Sequence, residues 1–245
     1  MNPFTTARTP EEAGLSSRAL LDYLDHIFSP EKAARGNWAQ ETLAFGCDAA
    51  PGTRFRYNSH GSYLIACMVQ RAVGMNLCDY LMPRLFAPLG IGRPRWDMGP
   101  QGVCCGGWGL YLSCDALPRL GVCLLHGGVW EGRQILPAAW LEQATRAQID
   151  TAHRTPAPSE EWAQGYGYHF WRCTGNRFRG DGSNGQFLIV SPEQDMAIAM
   201  TADLTDMPRA FALLNACLFD DARQQHTDIQ AQQALPRRLR TLAVR

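Results

Sequence analysis

Lysine is nearly missing from this 245-residue sequence: of its 23 basic residues, Lys32 is the only lysine. Any chemistry that needs an amine base must therefore use Lys32. An excess of charge is missing too, because 23 acidic residues balance the basic ones and the pI is near 7.0. That balance leaves no strong pull toward nucleic acid or an anionic membrane surface, and neither partner is expected. No run of about 18 apolar residues occurs and Met1–Glu12 holds no apolar leader core, so the expected location is cytoplasmic. The nine cysteines are an odd set without Cys-x-x-Cys spacing, and they read as buried, reduced thiols. Cys104-Cys105 has no basic neighbour to lower a thiol pKa. No Gly-x-Ser-x-Gly occurs and the six histidines show no paired ligand spacing, so neither a metal nor a cofactor is expected.

What is present is a helical first half followed by strands. Leu20, Leu21, Leu24, Ile27 and Phe28 recur at helical spacing behind Ser16 and Ser17, which predicts an amphipathic helix over 17–28. A short surface helix is expected within 29–48. After the Pro51-Gly52 turn, Ile65, Met68, Val69, Ala72 and Val73 make one face of a helix that begins near Asn58 and ends at Gly74. A further helix should run from Leu77 to about Pro83, before an irregular stretch punctuated by Pro88, Gly90, Gly92, Pro94, Gly99 and Gly102. Helices around Leu117–Leu125 and after Pro137 complete this part. From Tyr166 the pattern shortens to alternating or continuous apolar runs. Residues 166–171, 177–181, 186–191 and 196–202, separated by tight turns, predict an antiparallel sheet. Pro208 opens a last helix, and residues 224–245 read as a polar, solvated and poorly ordered tail.

Several motifs stand in a recognisable order. Pro51-Gly52-Thr53-Arg54-Phe55-Arg56-Tyr57-Asn58-Ser59 precedes a helix that closes toward Pro88-Leu89-Gly90-Ile91. Gly106-Gly107-Trp108-Gly109-Leu110, Gly127-Gly128-Val129-Trp130 and Gly165-Tyr166-Gly167-Tyr168 follow. Together, across roughly residues 37–220, these resemble the penicillin-recognising, β-lactamase-like serine hydrolases.

The resemblance implies acyl transfer or hydrolysis at an ester, amide or β-lactam bond. In that chemistry a serine at a helix start attacks a carbonyl and a lysine one turn later takes its proton. It puts Tyr57 in the place of the catalytic tyrosine, whose proton relay needs a pKa below the usual value of about 10. Ser59 replaces the customary Asn of the same motif. Gly180-Asp181-Gly182 matches the family's third motif without its basic residue, so the resemblance makes Asp181, Gly182 and Ser183 substrate-binding candidates. The Ser183 N–H would be an oxyanion donor. Read as a turn alone, Gly182-Ser183-Asn184-Gly185 is simply a hairpin corner, and Tyr57 a buried aromatic at a bend. His60, at a helix start, reads as a surface or packing residue.

The segment expected to carry the nucleophile is not recognisable. The resemblance breaks between about Phe28 and Asn37, as though an internal block had been removed. Ser29-Pro30-Glu31-Lys32 is formally Ser-x-x-Lys, with Ser29 able to cap a turn that presents Lys32. Ala33-Ala34-Arg35-Gly36-Asn37 cannot form the apolar helix that would desolvate that lysine, however, and the spacing to Tyr57 is short. Two readings stay open: an inactive relative, or a weak hydrolase using Ser29, Lys32 and Tyr57. The expected fold is α+β, helices on a small antiparallel sheet, with 1–223 as one truncated domain and 224–245 as its tail. Loss of strands would leave a sheet edge open to self-association.

Overall fold

The structure, a computed structural model, describes residues 36–47, 49–153, 159–219 and 228–241. The helix expected over 17–28 and the Ser29 to Lys32 segment lie outside these residues. The chain divides into two compact units: Met1–Arg119 with Trp130–Ile135, and Leu120–Val129 with Leu136–Arg245.

In the first unit, α1 (Trp38–Ala44) starts where the Asn37 side chain accepts the Gln40 N–H. Helix α2 (Ser59–Val73) is capped by Asn58, whose Oδ1 accepts the Gly61 N–H at 3.1 Å, and ends at Gly74 in the left-handed region, φ 68°. Tyr63 and Ala66 on its buried face join Val103, with Trp38, Cys67 and Leu77 packed alongside. Helix α3 (Leu77–Leu81) gives way to a π turn, Met82–Phe86, in which the Ala87 N–H reaches back to the Met82 carbonyl. The wider turn admits Pro83 beyond the expected helix end, because proline brings no N–H to the ladder. The strands β1 (Arg95–Trp96) and β2 (Leu110–Tyr111) then pair, Arg95 opposite Tyr111.

Helix α4 (Ala116–Leu125) follows, and a hairpin of β3 (Val129–Trp130) and β4 (Arg133–Gln134) turns at Glu131 and Gly132, both at positive φ. Helix α5 (Ala138–Thr145) begins after Pro137, which sits at the cap rather than at the first helical position.

The second unit is built on an antiparallel sheet of order β5-β6-β7-β8: β5 (Trp171–Arg172), β6 (Phe178–Gly182), β7 (Gln186–Ser191) and β8 (Met196–Met200). β6 faces β7 from Phe178 opposite Val190 to Gly182 opposite Gln186, and β7 faces β8 from Phe187 opposite Met200 to Ser191 opposite Met196. One face of the sheet packs on α6 (Met207–Leu214), burying Phe187, Ile189, Phe211 and Phe219 with Cys173. On α4, Gly121 meets Leu188 and Ala197 so closely that a Cβ there would lie 2.9 Å from Leu188 Cδ1.

Of the run 166–171, only Trp171 enters a strand, β5, and 166–170 do not form the strand that their alternation predicts. Gly165 at φ +99° and His169 at φ 63° fold the run back, with the Gly167 N–H on the Phe170 carbonyl at 2.7 Å. Alternation sets which residues would share a face, but left-handed residues cannot continue a pleat. The tail also differs from expectation, since α7 (Ile229–Thr241) is helical. Asp228 caps it by accepting the Ala231 N–H, and glutamine, alanine, leucine and arginine are adequate helix formers. All its residues are exposed, so it is as solvated as its composition predicts.

Candidate active site

The candidate residues fall into two groups, one in each unit. Tyr57 and Ser59 belong to the entrance of α2. Pro51-Gly52 makes the turn its sequence predicts: Gly52 has φ 79°, and Ala50 O accepts the Thr53 N–H and hydroxyl. The chain then runs extended from Phe55 to Asn58, leaving Tyr57 about 50% exposed. Ser59 is the first residue of α2 and half-buried, while Asn58 uses its side chain on the cap.

The glycine-rich motif that follows in sequence packs on this same helix entrance. A Cβ on Gly106 would lie 2.3 Å from Ser62 O, and one on Gly107 2.8 Å from Ser59 O, so only glycine admits the loop backbone here. Asp97 N–H on Gly109 O at 2.8 Å and Trp96 Nε1–H on Cys105 O at 2.7 Å fix the loop's course. Trp108 is thereby set among Tyr63, Trp38 and His60, at centroid distances of 6.3, 6.1 and 6.0 Å. Tyr63, not Tyr57, is the buried tyrosine of this region, and burial pushes its phenol up to about 12, so it stays neutral.

The second group lies on β6. β5 pairs with this strand only at Phe178 and Arg179, so Gly180, Asp181 and Gly182 have no strand on that side among the described residues. A Cβ on Gly180 would meet nothing within 4 Å, whereas at Gly182 it would lie 2.8 Å from Gln186 Cβ across the hairpin. Ser183 and Asn184 are exposed at the turn, where Asn184 (φ 61°) and Gly185 (φ 91°) reverse the chain.

Asp181 is engaged inward. Its side chain is only 8% exposed, and its Oδ2 accepts from Arg179 at 2.9 and 3.1 Å. Residues two apart on a strand share a face, so Asp181 follows Arg179 into the interior. Burial raises the Asp181 carboxyl above the usual carboxylate range, with the Arg179 guanidinium opposing that shift.

Arg179 is fully buried. It donates to the Glu161 carbonyl at 2.9 Å and to Cys173 Sγ at 3.0 Å, and lies 4.4 Å from the Trp162 ring centroid and 4.7 Å from that of Phe211. Cys173, pushed up to about 11 chiefly by burial, remains a neutral thiol and can accept this bond. Beside it, the Glu161 carboxylate accepts from Thr174 Oγ1 at 2.5 Å and Asn215 Nδ2 at 2.6 Å, with Arg177 3.7 Å away. Motif matching overlooks this buried layer. The available signal was the two-residue alternation of Arg177, Arg179 and Asp181 through Phe178 and Gly180.

An open depression of about 370 Å³ between Ala147–Asp150 and Ala163–Gly165 includes none of the candidate residues. Among the described residues no three His, Cys, Asp or Glu side chains converge as a metal site, and no helix is long and apolar enough to cross a membrane.

Helices with a small antiparallel sheet have the β-lactamase-like architecture. The family model of the β-lactamases matches residues 21–216, and the chain belongs to this β-lactamase-like serine hydrolase family. It is similar to the 6-aminohexanoate-dimer hydrolase of Paenarthrobacter ureafaciens, 28% identical over 160 residues that cover 62% of this chain and 40% of the relative. A Bacillus anthracis structure provisionally named a 6-aminohexanoate-dimer hydrolase superposes with a TM-score of 0.60 at 22% identity, covering 72% of this chain and 45% of that one. The octameric penicillin-binding protein homologue of Pyrococcus abyssi superposes with a TM-score of 0.52 at 18% identity, covering 76% and 48%. The chain thus spans less than half the length of each of these three proteins.

Proposed function

We propose that this chain is a β-lactamase-family protein that does not complete the acyl-enzyme reaction by itself, and at most binds a small ester, amide or β-lactam molecule without covalent turnover. The observation that carries the reading is the shortage of basic groups where this chemistry needs them. A serine hydroxyl attacks only as a neighbouring base takes its proton, and the sole lysine is Lys32, next to a sequence unable to desolvate it. At the third motif the basic position is Gly180, and the adjacent Asp181 carboxylate is held by Arg179. Tyr57 alone supplies a half-exposed phenol. The reading includes an internal loss between about Phe28 and Asn37, where the family resemblance breaks. Residues 1–223 then form one shortened domain, followed by the tail.

A second reading is favoured by one specific observation: the chain's only lysine stands in a Ser-x-x-Lys, so Ser29 and Lys32 could act with Tyr57 in slow hydrolysis. Intact-mass spectrometry separates the two. The full chain is incubated with a fluorophosphonate, a penicillin and, guided by the relative's name, the linear 6-aminohexanoate dimer, with circular dichroism confirming the fold. The expected result is no adduct and no cleavage. A stoichiometric adduct overturns the proposal, and its loss in Ser29→Ala would establish the second reading.

A further inference from the structure

The sheet of the second unit ends on β8, and this strand is unguarded. Met196-Ala197-Ile198-Ala199-Met200 carries no charge and no proline, and it pairs one-to-one with β7 without a bulge. Charges, prolines and bulges are the devices by which edge strands avoid pairing with other chains. Both faces of β8 are occupied: Met196, Ile198 and Met200 pack on the cluster around Phe187 and Phe211, and Ala197 lies under α4 at Gly121. Yet all five residues are half-exposed, while Phe187–Ser191 of the neighbouring β7 are all buried. The exposure is therefore at the edge, where no described strand lies against the outer backbone groups. The opposite side of the sheet differs, for β5 covers it at Phe178 and Arg179 and the remainder is Gly-Asp-Gly.

The sequence of β8 selects the occupant. Met-Ala-Ile-Ala-Met reads the same in both directions, so an antiparallel copy centred on Ile198 sets Met196 opposite Met200, Ala197 opposite Ala199 and Ile198 opposite its own counterpart. Every cross-strand pair then matches in size on both faces. A two-fold contact needs this self-complementarity, and it closes at two chains because each chain offers one β8. Asp195 falls opposite Thr201, so no like charges meet across residues 195–201.

We infer that two copies of this chain associate through antiparallel pairing of β8 with β8, in the register centred on Ile198, making one continuous eight-stranded sheet. The inference does not depend on whether the chain acylates. Sedimentation velocity of the full chain over a concentration series should show a monomer–dimer equilibrium, and hydrogen exchange of the Met196–Met200 amides should slow as the dimer fills. In Ile198→Cys, oxidation should give a disulfide joining the two copies of residue 198, mapped by mass spectrometry because native cysteines are present. Ala199→Cys alone should give no such link, since it faces residue 197, whereas a mixture of Ala197→Cys and Ala199→Cys chains should. A monomer at every concentration, or exchange at Met196–Met200 that ignores concentration, overturns the inference without using any variant. A dimer lacking the 198 link while the variant is folded overturns the register, and growth beyond two chains overturns the two-fold pairing.

Discussion

Replacing Arg179 by methionine tests the buried layer beneath β6. The guanidinium is fully buried, holds Asp181 through two bonds of 2.9 and 3.1 Å and donates to Glu161 O at 2.9 Å. Methionine has similar reach among Trp162 and Phe211 but no donors. It would leave a buried carboxylate without its charge partner, held only by the Trp162 N–H, for which a loss of about 3–5 kcal/mol is expected, out of a total stability on the order of 5–15 kcal/mol. Changing both partners, Arg179→Met with Asp181→Leu, removes the stranded charge. The Glu161 carbonyl, the Cys173 sulfur and the Trp162 N–H then each lose a partner, of which the orphaned carbonyl is the largest cost, at about 1–3 kcal/mol. The double variant should therefore be more stable than Arg179→Met alone by about 2 kcal/mol, taking the middle of those ranges. Urea unfolding followed by circular dichroism measures both.

The pH dependence adds a sign. Asp181 already titrates above its ordinary value because of burial, and losing Arg179 raises it further. A carboxyl raised in the folded state favours folding when protonated. The deficit of Arg179→Met should thus be smallest below the unfolded carboxylate pKa of about 3.9 and grow as pH climbs through the raised folded value. A single-variant loss under about 1 kcal/mol at neutral pH, no more than an exposed ion pair contributes, would refute the reasoning. So would a double variant no better than the single.

Two further substitutions probe the first unit. Gly106→Ala would place a Cβ 2.3 Å from Ser62 O, which is backbone and cannot rotate away, so a loss of about 1–3 kcal/mol and a lower melting temperature by calorimetry are expected. Tyr63→Phe removes a buried hydroxyl whose hydrogen-bonding neighbour is the Cys67 thiol, a weak partner, and unfolding free energy should stay within about 1 kcal/mol of the parent.

The elements legible in the sequence are those whose limits are set by local chemistry. α2 could be read from Asn58 to Gly74 because a side-chain cap and a left-handed glycine mark its ends. β7 and β8 could be read because Pro192–Gln194 and Asp195 at φ 47° interrupt two apolar runs. The bend at 166–170 was hidden because its cause, His169 in the left-handed region, is not written in the alternation that suggested a strand. Asp181 shows two readings side by side. Aligned to a motif it reads as a substrate contact, yet the two-residue period of the same strand ties it to Arg179 and turns it inward. Periodicity within the strand was the stronger physical statement.

The family motifs that survive here are backbone motifs, and their glycines explain why. Gly106 and Gly107 let one chain segment lie directly on another, and Gly182 gives way to Gln186 across a hairpin. These glycines are required for the fold whether or not anything reacts nearby, so losing catalysis would not release them. Gly180 is the contrast: a Cβ there meets nothing within 4 Å and its φ is not positive, so no steric demand keeps a basic side chain out of that position. On the proposed reading, in which turnover is lost, a glycine at the position matching the family's cation is compatible with a relaxed requirement for charge there. The same argument explains why the family could be recognised from these motifs while a working nucleophile could not be read from them. The recognition rests on close backbone approaches, and acyl transfer rests on a serine and a basic group that such approaches do not specify.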